Sequence, residues 1–196
     1  MGLDLRGEYN AIGIDLNEKI AKIANNFAKM KGNSFQCIVG DAEKLPFRDK
    51  VFDICFCGDV LHHFPDISEV MDESTRCLKS NGKIILIEPN GNNIINILAR
   101  KFAIFIMYIS SRKFKLFSPN EVNHSIKYYI KMLSERKYNI EKIFTHYKYD
   151  CRRTINKNPL IKLLCIIREF LFKVAWITLL QPSNGPNLII IAKLES

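Results

Sequence analysis

Only nine of the 196 residues are glycine, and no two of them make even a GxG pair. This removes the tight glycine-rich turn that wraps backbone N–H groups around a phosphate or carboxylate. The six cysteines, at 37, 55, 57, 77, 151 and 165, form no CxxC pair. Cys55 and Cys57 with His62 and His63 do not make a closed tetrahedral signature, so no zinc centre is expected. The opening Met1-Gly-Leu-Asp-Leu-Arg-Gly-Glu8 is not a secretory signal. Arg6 breaks the myristoylation pattern. The apolar run Leu98–Ile109 is too short to span a bilayer. A reduced, cytoplasmic compartment is the expectation.

What is present is enough for one domain with a substantial core. The hydrophobic fraction of 47% excludes general disorder. The net charge of +9 is unevenly spread. Residues 1–90 hold 11 Lys and Arg against 14 Asp and Glu, a net of −3, while residues 91–196 hold 18 against 6, a net of +12. A basic half attracts phosphate, an anionic membrane or an acidic substrate, although solubility alone accounts for it equally well.

The first half alternates strands and helices. Asn10–Asp15 is a short strand, and Asn17 caps the helix behind it. Ile20, Ile23, Ala24, Phe27 and Ala28 recur at three and four, which predicts one buried stripe. Gly32 is its stop. Phe35–Val39 and Val51–Cys57 are the next strands. A helix follows Pro65, with Ile67, Val70, Met71 and Leu78 inward. Asn81-Gly82 is a turn, and Lys83–Glu88 is a strand stopped by Pro89. Strands separated by helices need crossovers, hence a mostly parallel sheet. Its ligands gather beyond the carboxyl ends of the strands. Asp15, Asp41, Asp59 and Glu88 all fall there.

Five segments recur in one family's order: Ile12-Gly-Ile-Asp-Leu16, Val39-Gly-Asp-Ala-Glu-Lys-Leu-Pro-Phe47, Phe52-Asp-Ile54, Val60-Leu-His-His-Phe64 and Arg76-Cys-Leu-Lys-Ser-Asn-Gly-Lys83. The set resembles class I S-adenosylmethionine-dependent methyltransferases. The similar branch is the small-molecule and lipid one typified by ubiquinone and menaquinone biosynthesis (methyltransferase type 11). The resemblance implies an α/β, Rossmann-like sandwich, mostly parallel with an antiparallel last strand. It implies S-adenosyl-L-methionine as cofactor. Asp15 then takes the ribose hydroxyls with Leu16 beside it, Asp41 and Ala42 meet the adenine, and Asp59 lies near the methionine portion. Asp15 also fits a helix-start acid, Asp41 a turn residue and Asp59 a helix start. The resemblance assigns no catalytic base. His62 and His63 line the wall behind the cofactor and begin the next helix in this reading, and Phe47 plugs the core.

The family's first strand and its GxGxG loop have no counterpart here. In the family's strand order, 3-2-1-4-5-7-6, that strand is central. The expectation is an N-terminally truncated member, a closed-up sheet, or a gap filled by a partner chain. Residues 1–196 are read as one domain, with a cofactor half over 1–90 and an acceptor half over 91–196. In the latter, Phe117-Ser-Pro-Asn-Glu-Val122 resembles the entry to a helix reaching about Arg136, with Ser118 as its cap. Tyr138–Tyr149 is strand-rich and Asn187–Leu194 is the last strand, after a helical insertion at Leu160–Leu180. Leu98–Ile109 and Leu160–Leu180 are candidates for a greasy acceptor or for peripheral membrane contact. A nucleic-acid methyltransferase fits less well, since no stacking platform appears. A non-catalytic remnant or partner subunit is the reading of another class, and a nicotinamide-dependent dehydrogenase is a weaker rival.

Overall fold

The computed structural model describes residues 10–109, 121–146 and 187–196. Strand β1 (Ile12–Asp15) leads to helix α1 (Glu18–Lys31) and strand β2 (Gln36–Val39). Strand β3 (Phe52–Gly58) is followed by a 3-10 turn at Leu61–His63, helix α2 (Ser68–Cys77) and strand β4 (Leu78–Pro89). Helices α3 (Ile94–Ile109) and α4 (Ile126–Glu135) precede strands β5 (Tyr138–His146) and β6 (Asn187–Leu194).

The helix boundaries follow their caps. Asn17 accepts from the Lys19 N–H at 2.9 Å, and Gly32 ends α1 in the left-handed region at φ 66°. Ser125 caps the fourth helix, its hydroxyl accepting from the Tyr128 N–H at 3.2 Å, while the expected cap Ser118 lies outside the described residues. Residues 121–125 are therefore a non-helical lead-in, and the helix starts later than the Ser-Pro signal predicts.

The strands form two sheets. β1 pairs with β2 in parallel, and the other four run in the order β3-β4-β6-β5. β3 and β4 are parallel, while β6 is antiparallel to both β4 and β5. β1 and β3 each have one paired edge among the described residues, so the sheet is interrupted where the central strand is expected. Asn81-Gly82 is absorbed into β4 as a bulge, with Asn81 at φ 63°.

The core sits on one face of the four-stranded sheet. Ile84, Leu86 and Ile190 of the sheet meet Met71 of α2 and Leu133 of α4, with Leu61 beneath. Each such side chain contributes about 1.5–3 kcal/mol on burial. The α1 stripe departs from expectation. Ala21 and Ala28 are buried, but Ile20, Ile23 and Phe27 are 47%, 63% and 54% exposed. The helix lies close to its two-stranded sheet through small residues. Asn25 fixes it there, bonding the N–H and C=O of Cys37 at 2.7 Å each and satisfying an edge of β2. The larger apolar residues point to a neighbouring face that no described element covers.

Candidate active site

The carboxyl ends of the parallel strands carry four acids, Asp15 and Asp41 at one sheet and Asp59 and Glu88 at the other. Asp15 ends β1, opposite Val39 of β2. Its Oδ1 accepts from the Asn17 N–H at 2.8 Å. Asp41 lies two residues beyond Val39, and its Oδ1 accepts from the Glu43 N–H at 2.9 Å. Each acid thus makes a local turn contact with the N–H two residues on, and each contact uses one carboxylate oxygen. Leu16 is 76% exposed just past Asp15. Gly40 lies between the two acids, where an added Cβ would approach Ile14 Cγ2 to 3.2 Å.

The Asp41 loop is held from behind. Arg76 donates to the carbonyls of Phe47 at 2.8 Å and Leu45 at 3.0 Å, and also to Glu73 and Asp49. Glu73 accepts from the Leu45 N–H at 2.8 Å. The Glu73 carboxyl is pushed below the usual carboxylate range, first by its bond from Arg76. Phe47 is only half-buried, edge-on to Phe52 at 4.8 Å. The loop is thus anchored by a polar clamp as much as by an aromatic plug.

Asp59 follows β3 at φ 56°, its N–H donating to the Ile87 carbonyl at 2.8 Å. Although solvent reaches it, desolvation and then the Glu88 charge push its carboxyl upward, against the pull of His62 and His63. His62 and His63 lie in the 3-10 turn rather than at the start of α2, their rings 4.1 Å apart. Glu88 is the residue the sequence left without a role. It is a buried acid at the end of β4, accepting from the backbone N–H groups of Val60, Leu61 and His62. Its position at a strand's carboxyl end was the only sequence signal.

A second layer closes over this turn. Val122 donates to the His62 carbonyl at 2.7 Å, and His124 Nε2 lies 2.8 Å from the Phe64 carbonyl. Gly91 donates to the His124 carbonyl at 3.2 Å. A Cβ at Gly91 would collide with the carbonyl oxygens of Asn123 and His124, so only glycine permits this approach.

The residues present fit the adenosyl portion of S-adenosylmethionine. Two neighbouring acceptor-only carboxylates match hydroxyl and amino donors, and Ala42 adds no bulk. No described segment offers a backbone cradle for the methionyl carboxylate.

Parallel strands with acids at their carboxyl ends, closed by an antiparallel last strand, define a Rossmann-like methyltransferase fold. Residues 2–86 match the family model described as a methyltransferase domain. Residues 2–86 are similar to class I methyltransferase domains of the type 11 branch. An uncharacterized methyltransferase of Bacillus subtilis, YcgJ, is 37% identical over 78 residues, 39% of this chain and 31% of that protein. The demethylmenaquinone methyltransferase of Lactobacillus johnsonii is 37% identical over 85 residues, 41% of this chain and 34% of that protein. The matches therefore span about a third of these relatives' length. A SAM-dependent methyltransferase structure from Methanosarcina mazei superposes with a TM-score of 0.63 at 19% identity, covering 94% of this chain and 82% of that one.

Proposed function

We propose that this protein binds S-adenosyl-L-methionine and transfers its methyl group to a small or lipid-like acceptor. The placement of Asp15 and Asp41 supports this most directly. They stand at the ends of adjacent parallel strands, each with one oxygen tied to its own turn and the other carboxylate oxygen left to accept from a ligand. Asp15 holds the ribose hydroxyls with Leu16 against the sugar. Asp41 and the Ala42 backbone meet the adenine, and Asp59 lies toward the methionine portion. Residues 1–90 form the cofactor half and residues 91–196 the acceptor half. When bound, the cofactor supplies an electrophilic methyl group on a sulfonium. The protein orients the acceptor and excludes water. Excess attraction of Asp59 for the cation would hold the ground state and not speed transfer, so its role is positioning.

A greasy acceptor, or peripheral contact with a membrane, is supported by α3. Its Ile94, Leu98, Ile104, Phe105 and Tyr108 are all more than half exposed. Among the described residues no helix is long and apolar enough to cross a membrane. Leu160–Leu180, the other candidate for that contact, lies outside the described residues. Calorimetry with S-adenosylmethionine tests the cofactor reading, and flotation with neutral and anionic vesicles tests the surface. Saturable binding is expected, and its absence would leave the interrupted sheet as the mark of a non-catalytic partner subunit.

A further inference from the structure

Glu88 makes one contact that capping the 3-10 turn does not require. Its Oε1 accepts from the N–H groups of Val60 and Leu61 at 2.8 Å each, and its Oε2 from the His62 N–H at 3.3 Å. Those three bonds already hold the turn. In addition, Oε2 lies 2.8 Å from His62 Nδ1. With Glu88 serving as acceptor in every contact, Nδ1 carries the proton, and the neutral ring keeps its lone pair on Nε2. Glu88 is 1% exposed, whereas the His62 side chain retains a 14% window. The ring is pinned from three sides: by Glu88 of β4, by the His63 ring, and through its backbone carbonyl by Val122.

We propose that His62 is the proton acceptor for methyl transfer to a hydroxylic acceptor such as a phenol or quinol, and that Glu88 is the residue positioning it. The inference rests on the cofactor reading given above. The acceptor's nucleophilic atom bonds the methyl carbon as the carbon–sulfur bond breaks, and that electron pair stays on sulfur. The acceptor's proton passes to His62 Nε2, and the imidazolium forms against a carboxylate already in contact with it.

The charges around the ring favour this role. Glu88 faces it from β4, Asp59 from the end of β3, and Glu121 from the segment ahead of α4; His63 adjoins it on its own turn and lies 3.8 Å from Glu121. Tyr129 of α4, beside Glu88, is neutral because burial pushes its hydroxyl far up. Burial alone would lower the His62 pKa, but the Glu88 bond and the three carboxylates outweigh it and the net shift is upward. A base poised at or above its ordinary value suits a phenolic proton.

The test uses the full chain, S-adenosylmethionine labelled on its methyl group, and demethylmenaquinol as the hydroxylic probe. Calorimetry with S-adenosylmethionine is run on the parent, His62→Gln and Glu88→Gln, with circular dichroism melts as a folding check. In the parent, ¹⁵N imidazole spectra are expected to show His62 as the Nδ1–H tautomer, titrating above the ordinary imidazole value. Transfer is expected to fall about tenfold per pH unit below that pKa. His62→Gln is expected to keep cofactor affinity within twofold and to lose transfer by about 10²-fold or more, the usual contribution of a positioned base. Glu88→Gln is expected to lower the His62 pKa and move the acid limb to lower pH. A merely structural carboxylate would not move that limb. Retained transfer in folded His62→Gln, an Nε2–H tautomer in the parent, or a parent that binds cofactor but never methylates the probe would overturn the proposal while leaving the cofactor reading standing. A parent that binds no S-adenosylmethionine overturns both.

Discussion

Asp15 and Asp41 stand at the mouths of neighbouring parallel strands, and each ties Oδ1 to the backbone N–H two residues on, at 2.8 and 2.9 Å. The turns thereby orient both carboxylates before any ligand arrives. Pre-set acceptors give affinity that flexible ones lose to ordering.

Asp59 combines a left-handed backbone with a carboxyl held above its ordinary range by desolvation and Glu88. Such an acid favours the fold only while protonated. Its contribution is present below the ordinary carboxylate range and lost as pH rises through the folded pKa. Asp59→Asn keeps a side chain tolerated at positive φ and removes the charge. It is expected to melt higher than the parent at pH 7, with the gain shrinking as pH falls through the raised folded pKa and lost once pH is below the ordinary aspartate range. A gain independent of pH would place the effect in the backbone alone.

Tyr129 is 1% exposed, and its hydroxyl has no hydrogen-bond partner among the described residues. A buried hydroxyl left unpaired costs about 1–3 kcal/mol. Tyr129→Phe is therefore expected to raise the melting temperature by a few degrees, at about 2–4 °C per kcal/mol for a chain of this size. A lower melting temperature would reveal a partner for that oxygen.

Phe27 and Ala28 are neighbours in α1 with opposite burial, 54% and 4% exposed. Phe27→Gln is expected to change stability by less than about 0.5 kcal/mol. Ala28→Leu should cost about 1–3 kcal/mol by overpacking against the sheet. Denaturant melts of the two variants check this, and a core-sized loss in Phe27→Gln would mean that the stripe is covered in solution.

Much of this molecule is legible in its residues. β6 spans the predicted Asn187–Leu194, and α1 begins and ends at the predicted Asn17 and Gly32 because caps are local chemistry. The four acids fall at strand ends because strand order and length place them there. Periodicity failed where partners decide the outcome. The Ile20–Phe27 stripe has the spacing of a buried face, but spacing cannot say whether a neighbour exists. Ser118-Pro119 had the form of a helix entry, yet tertiary contacts from Val122 and His124 hold residues 122–124 against His62 and Phe64 outside any helix. Glu88 was visible as a strand-end acid. Its bond to His62 was not, because 26 residues separate them and only the parallel β3–β4 pairing brings them together.

The most direct measurement is calorimetric titration of S-adenosylmethionine into the parent chain and into Asp15→Ala. Loss of a charge-assisted hydrogen bond is worth about 1.5–3 kcal/mol, or roughly ten- to hundredfold in dissociation constant. Saturable one-to-one binding by the parent is expected, weakened by at least about tenfold in Asp15→Ala and less in Asp59→Ala. Equal affinities of parent and Asp15→Ala, or no saturable binding by the parent, would contradict the assignment of this rim as a cofactor site.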